Sequence, residues 1–265
     1  MCIVGRREAL VEEVRKECSS KNSTVLGLVG DFSNPEDLVR IRERIHQGTE
    51  LSSLSERHLH VAEWAGLDTL VISAGVSSLL PILDIASAHP PTPTGPSAPG
   101  LDHLASVTQR ATQGNLTGPL LTSAAFIPYL SKTSASPSIL LISSLASVIP
   151  APTRALYAAT KGASLLAHQA LAIEHPNIKF SFVLPSTVEG NFRASAVDGG
   201  EAREDDPATT GLKATDVARR CIRAVDDREG VVWLPRSMVI APFVWWAWPA
   251  YVERKARIKY KFDAA

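Results

Sequence analysis

The chain has 265 residues, 45% of them hydrophobic, which is enough for one good core without a second domain. Lysine plus arginine and aspartate plus glutamate balance at 27 each, so no overall field favours nucleic acid or an anionic membrane, and only local patches stay open. Cys2, Cys18 and Cys221 are odd in number and lack metal-ligand spacing, which points to packing residues in a reducing compartment, and His58 and His60 lack the partner set of a zinc site, so no metal is expected.

In chain order, the first residues run into Gly5-Arg6-Arg7 without a basic-then-apolar leader, so N-terminal targeting is not expected. Residues 7–19 read as helix, 24–29 as strand, 36–45 as helix and 69–73 as strand. Residues 88–100, rich in Pro, Ser and Thr, read as a surface loop, followed by a helix over 101–130. The apolar run 138–143 reads as a buried parallel strand that ends in the hydroxyls of Ser143 and Ser144. A helix over 155–174 and a strand over 179–184 follow. The polar, acidic stretch 190–211 leaves a strand's C-terminal end, where open α/β sheets bind ligands, so a substrate lid and a plain solvated connection both remain open. Residues 215–224 read as a helix opened by Thr215 and Asp216 in capping positions, and 231–234 as a last strand. This alternation predicts an α/β protein: a Rossmann-like, doubly wound parallel sheet with helices on both faces, three layers in one domain.

The sequons at Asn22 and Asn115 read as chance matches in a chain without a secretory leader. The most informative pair is Tyr157 and Lys161. Four apart on a helix, they lie on one face, so the ammonium can stabilise a phenolate and make Tyr157 a proton-transfer residue. Spacing alone does not carry this, because Tyr251 and Lys255 repeat the pattern near the C-terminus. Context separates them: Tyr157 follows a buried strand that ends in Ser144, and Tyr251 follows a tryptophan-rich stretch.

Ser144, Tyr157 and Lys161, with Asn115 in Gly114-Asn115-Leu116-Thr117-Gly118, make the chain resemble the short-chain dehydrogenase/reductase family from residue 1 to about Leu234. The resemblance implies that Ser144 binds the substrate oxygen, Tyr157 exchanges its proton, Lys161 also contacts the nicotinamide ribose, and Asn115 holds a water linking the lysine to solvent. Ser73-Ala74-Gly75 matches the family's Asn-Ala-Gly turn, which places Ala74 and Gly75 beside the cofactor, and Asp31 matches the residue that meets the adenine. Pro185-Ser186-Thr187-Val188 stands in the place of the Pro-Gly turn, where the backbone at Val188 would hold the carboxamide. Ser186 replaces the glycine there, and Glu189 or Gly190 the usual threonine. Arg6 and Arg7 suit a 2′-phosphate, so NADP(H) is expected over NAD(H).

The family's first strand and its Gly-x-x-x-Gly-x-Gly loop have no counterpart before Gly5, so the fold is expected to be N-terminally incomplete and to begin inside the second strand. The neighbours of that strand should then lack a partner, and the functional protein is expected to start upstream of Met1. Residues 1–235 would form the dinucleotide-binding and catalytic domain and 236–265 an aromatic, basic tail. The implied reaction interconverts a lipophilic secondary alcohol and a ketone or aldehyde, with Leu145, Val148 and Ile149 as apolar lining. A non-catalytic scaffold of the same fold, or a truncated fragment, is the alternative. A homo-oligomer through the helices near Leu101 and Ala155 stays open, and the expected location is cytoplasmic with membrane association open.

In the tail, Trp245, Trp246, Trp248 and Tyr251 precede Arg254, Lys255, Arg257, Lys259 and Lys261. Aromatics beside a basic cluster suit a membrane interface. The apolar run is shorter than the ~20 residues of a spanning helix and is broken by Pro242 and Pro249, so the favoured expectation is closure of the substrate pocket or burial in a subunit interface.

Overall fold

The computed structural model describes residues 1–19, 23–53, 66–87 and 94–262, with side chains described outside 48–53. The apolar, β-branched runs become strands β1 (Cys2–Gly5), β2 (Leu26–Val29), β3 (Thr69–Ile72), β4 (Ser138–Ile142), β5 (Lys179–Pro185) and β6 (Val231–Leu234). The helices are α1 (Glu8–Cys18), α2 (Pro35–Ser53), α3 (Ile82–Ile85), α4 (Ala98–Thr112), α5 (Gly118–Thr133), α6 (Ala155–Glu174), α7 (Pro207–Thr210), α8 (Ala214–Asp226), α9 (Ala241–Ala247) and α10 (Pro249–Lys259). His58, His60, Asn22 and residues 88–93 of the expected loop lie outside the described residues.

β1 and β2 form a parallel pair with Cys2 opposite Leu26 and Gly5 opposite Val29. The other strands form a sheet in the order β3-β4-β5-β6, with β5 parallel to β6 and Phe182 opposite Val231. Among the described residues β1 pairs with β2 alone and β3 with β4 alone, and β2 and β6 are the other two edges of these sheets.

By contact the chain forms two compact units, Met1–Leu70 with Thr117–Ser138, and Val71–Leu116 with Ile139–Ala265. The core of the first joins Leu38, Ile41 and Ile45 of α2 to Phe126 of α5, with Cys2, Leu28 and Leu121 packed against it. Gly118 allows a close approach here, since a Cβ at that position would collide with the Phe32 ring. In the second unit, Leu140, Val183 and Val232 of β4, β5 and β6 pack on Ala224 of α8, and Ile85, Val107, Ala111 and Leu156 form a further cluster. Each Val, Leu, Ile or Phe side chain among them, fully withdrawn from water, contributes roughly 1.5–3 kcal/mol of hydrophobic free energy.

Two expectations need correction. The helix expected over 101–130 is two α-helices joined by a π-helical turn, Gln113–Thr117. Gly114 and Gly118 weaken the α-helix at this point, and the wider turn carries Asn115, 1% exposed, into the interior. At α8, Thr215 and Asp216 lie inside the first turn rather than at the cap. Glu189 caps it from a distance, its Oε1 accepting from the Ala214 amide at 2.9 Å and its Oε2 from Lys213 Nζ at 2.9 Å. That pair, with the Lys213 hydrogen bond first, holds the Glu189 carboxyl below its usual range.

Between Gly190 and Gly211 the chain is tied down. Ser77 bridges to Ala196, and the carboxylate of Asp198 accepts from the Ser78 hydroxyl at 2.7 Å and from the Leu79 and Leu80 amides at 2.6 and 3.0 Å. Burial pushes the Asp198 carboxyl up, but these donors outweigh it and leave its pKa lowered.

Candidate active site

The second unit brings most of the expected residues together where β4 ends. A parallel strand's C-terminal end is where an α/β sheet presents side chains to a ligand. Ser144 follows β4 and caps a short 3-10 turn, its hydroxyl accepting from the Ala146 amide at 3.2 Å. Thr153, at φ 63°, turns the chain into α6. In the first turn of that helix, half-buried Tyr157 hydrogen-bonds through its side chain to Ser144. The Phe192 ring meets the Tyr157 ring edge-on, 6.1 Å between centroids. Burial pushes the Tyr157 hydroxyl above its ordinary value of 10, and the Ser144 hydrogen bond and the Arg154 charge pull it back.

Lys161 is 5% exposed, and its Nζ donates to the Ile142 carbonyl at 3.1 Å. Burial pulls its pKa down to about 8. An ammonium has three donors, so two remain for a ligand. The sequence suggests Lys161 as the cation beside the phenolate, and the Arg154 guanidinium is a further positive charge that acts on Tyr157.

Asn115 faces the same place. Its Oδ1 accepts from the Val76 amide at 2.9 Å, and its Nδ2 donates to the Val76 carbonyl at 3.0 Å and to Thr160 Oγ1 at 3.1 Å. Both amide donors are therefore used in clamping the segment after β3 to α6. A Cβ on Gly75 would fall 2.9 Å from Asn115 Oδ1 and 3.2 Å from Lys161 Nζ, so glycine keeps this space clear. Ala74 is exposed beside it. Val188 pairs with Leu212, held by the Leu212 amide on the Thr187 carbonyl and the Glu189 amide on the Leu212 carbonyl, both 2.9 Å.

In the first unit, Arg6 Nη1 stands 3.6 Å from Asp31 Oδ2, and Asp31 Oδ1 accepts from the amide and hydroxyl of Ser33 at 2.8 and 2.7 Å. Arg7 is exposed at the N-cap of α1 and makes no side-chain capping bond. The expected residues thus fall into a set at the ends of β3, β4 and β5 and a separate set after β1 and β2.

Arg154 is the residue that sequence reasoning missed. It donates to Ser77 Oγ at 3.3 Å, to the Ser78 carbonyl at 3.1 Å and to Glu204 Oε1 at 2.7 Å, with Glu204 itself 9% exposed at its side chain. Its signal was available: Arg154 is the only charged residue between Ser144 and Lys161. Among the described residues no group of three His, Cys, Asp or Glu side chains is placed to hold a metal ion.

Residues 1–199 match the profile of the short chain dehydrogenase family, and the chain belongs to that family. It is accordingly an oxidoreductase acting on CH–OH groups with NAD(P). Solved structures agree on the fold. An alcohol dehydrogenase from the archaeon Thermococcus sibiricus, complexed with 5-hydroxy-NADP, is 18% identical with a TM-score of 0.62, over 88% of this chain and 83% of that one. A 3-ketoacyl-ACP reductase from Sinorhizobium meliloti 1021 is 23% identical with a TM-score of 0.61, over 88% and 86%. The serine dehydrogenase of Escherichia coli is 18% identical with a TM-score of 0.57, over 88% and 84%. These likenesses establish the Rossmann-like α/β fold.

Proposed function

We propose that the chain is an NADP(H)-dependent oxidoreductase that interconverts a lipophilic secondary alcohol and the corresponding ketone, with Tyr157 as the acid and base. The observation that carries this reading is the hydrogen bond between Tyr157 and Ser144 at the end of β4, beside the Arg154 charge. In reduction, Tyr157 gives its proton to the substrate oxygen while Ser144 donates to that oxygen as negative charge develops. In oxidation, the Tyr157 oxygen takes the proton back. When bound, NADP(H) supplies or accepts the hydride.

The two spare donors of Lys161 suit ribose hydroxyls, and the space kept open at Gly75 and Ala74 suits close approach of the cofactor. The backbone at Val188 would hold the carboxamide. Asn115 fixes the distance between Gly75 and α6 through Val76 and Thr160. In the first unit, Asp31 would meet the adenine, and Arg6 with Arg7 would pair with a 2′-phosphate, which favours NADP(H) over NAD(H). The 5-hydroxy-NADP complex of the archaeal neighbour supports the same preference.

A homo-oligomer through the faces of α4 and α6 fits the exposure of Leu101, Leu166 and Ile173 at 51%, 69% and 83%. No helix among the described residues is long and apolar enough to cross a membrane. The proposed location is the cytoplasm, with peripheral contact between the C-terminal tail and a membrane.

The reading is tested by calorimetric titration of the purified protein with NADPH and, in parallel, NADH. Saturable binding that favours NADPH is expected, followed by NADPH consumption with medium-chain 2-ketones. No heat with either nucleotide would overturn the proposed NADP(H) use and Tyr157 chemistry for this chain.

A further inference from the structure

The C-terminal segment divides into two faces. Trp245 of α9 and Val252 and Ala256 of α10 turn inward, lining with Pro150, Pro152 and Phe262 a cavity of about 260 Å³. Past α10 the chain is pinned, with Lys261 Nζ 2.8 Å from Asp205 Oδ1 and the Arg203 guanidinium 5.7 Å from the centre of the Phe262 ring. The inner stripe therefore faces this cavity rather than open solvent.

The outer face is bare. Phe243 is 73% exposed, Trp246 83%, Trp248 69% and Ile258 65%. So dense a set of exposed large apolar side chains has a strong hydrophobic cost in water and marks a contact surface. The basic residues lie in the same segment: residues 236–262 carry six, Arg236, Arg254, Lys255, Arg257, Lys259 and Lys261, against the single acid Glu253, in a chain whose charges balance over its full length.

We infer that α9 and α10 form an interfacial anchor whose Phe243, Trp246 and Trp248 enter the headgroup region of an anionic leaflet while Arg254 and Lys255 meet its lipid phosphates and carboxylates. Aromatic rings with an apolar body and a polar edge settle at this depth, and anionic lipids attract a basic segment within a Debye length. A second copy of the chain fits worse, because a two-fold contact sets the same patch against itself and opposes the two basic clusters. A spanning helix is ruled out for α9 and α10 by length, the two being broken at Trp248 and Pro249. This inference specifies the partner of the proposed peripheral contact, and it stands apart from the oxidoreductase reading because its test has no catalytic readout.

The test is flotation of the full chain with vesicles of phosphatidylcholine alone and of phosphatidylcholine mixed with phosphatidylserine. Recovery at least about tenfold higher with the anionic vesicles is expected, falling as salt rises, with a blue shift of tryptophan emission. Trp246→Ser with Trp248→Ser should abolish flotation, and Arg254→Glu with Lys255→Glu should remove the preference for anionic lipid, both with thermal unfolding unchanged. Equal recovery with the two vesicle types, or none with either, overturns the inference. So does a dimer in size-exclusion chromatography that the double tryptophan variant dissociates.

Discussion

The chain carries two Tyr-x-x-x-Lys pairs, both on helices, and they do different physical work. On α10, Tyr251 is 51% exposed and the Lys255 ammonium lies 5.8 Å from the centre of its ring, a cation-π contact in water. On α6, Lys161 is 5% exposed, its ammonium turned to the Ile142 carbonyl, and Tyr157 is bonded to Ser144. The spacing sets proximity in both cases. Burial and the neighbouring strand end set the chemistry, because desolvation and the hydrogen bond move the proton affinities of Lys161 and Tyr157.

The largest expected contrast is catalytic. Tyr157→Phe should lower turnover by a factor of about 100 to 10,000, the usual worth of a positioned acid, while Tyr251→Phe leaves it unchanged. Comparable turnover in the two variants, measured by NADPH consumption at equal folded fraction, would erase the distinction between the pairs.

The next contrast is in stability. Lys161 has a folded pKa near 8 against an ordinary value of 10.5. Below pH 8 it is charged in both folded and unfolded states, and the cost of burying that charge is fully present. Between pH 8 and 10.5 the unfolded chain binds the extra proton, so stability rises with pH, and above that window the cost is gone. Lys161→Met should therefore abolish activity yet stabilise the fold at pH 7 by an amount on the order of 3 kcal/mol, with the gain shrinking across the window. Denaturant midpoints at pH 7 and pH 10 measure it. A destabilised Lys161→Met variant at pH 7 would show that the lysine is held by more than its one carbonyl. Lys255→Met, at the exposed pair, should change stability by less than about 0.5 kcal/mol at either pH.

A smaller effect sharpens the buried pair's setting. Gly75→Ala places a methyl group against Asn115 and Lys161 and should lower stability by about 1–3 kcal/mol and weaken NADPH binding in the same calorimetric titration. Unchanged affinity would mean that the space beside Gly75 is not where the cofactor lies.

Much of this was legible in the sequence. The helix expected over 155–174 and the strand over 231–234 coincide with α6 and β6, because a long apolar face and a short β-branched run are local signals. The meeting of Ser144 with Tyr157 was legible for the same reason, each lying at the boundary of a well-marked element. What was not legible depends on distant residues. The N-cap of α8 is served by Glu189, 25 positions before Ala214, so the polar residues at 215 and 216 misled. Arg154 gains its place from Ser77, Ser78 and Glu204, which lie 50 or more positions away. In the tail, composition identified the aromatic and basic residues but not which tryptophan faces inward. That choice is visible only in the fold, where Trp245 lines a cavity together with Pro150 and Pro152.

The π-helical turn at Gln113–Thr117 has a consequence for how the chain tolerates length changes. Each residue of an α-helix advances the phase by about 100°, so a one-residue insertion or deletion normally swings every later side chain away from its partner. Here the wide turn already stores one residue of slack. Removing Gly114 would let the helix close into regular α geometry, and the amide of Asn115 would rotate off Val76 and Thr160. The helix gives up one regular turn so that a single side chain can be aimed, and a sequence one residue shorter would gain a smoother helix and lose that aim.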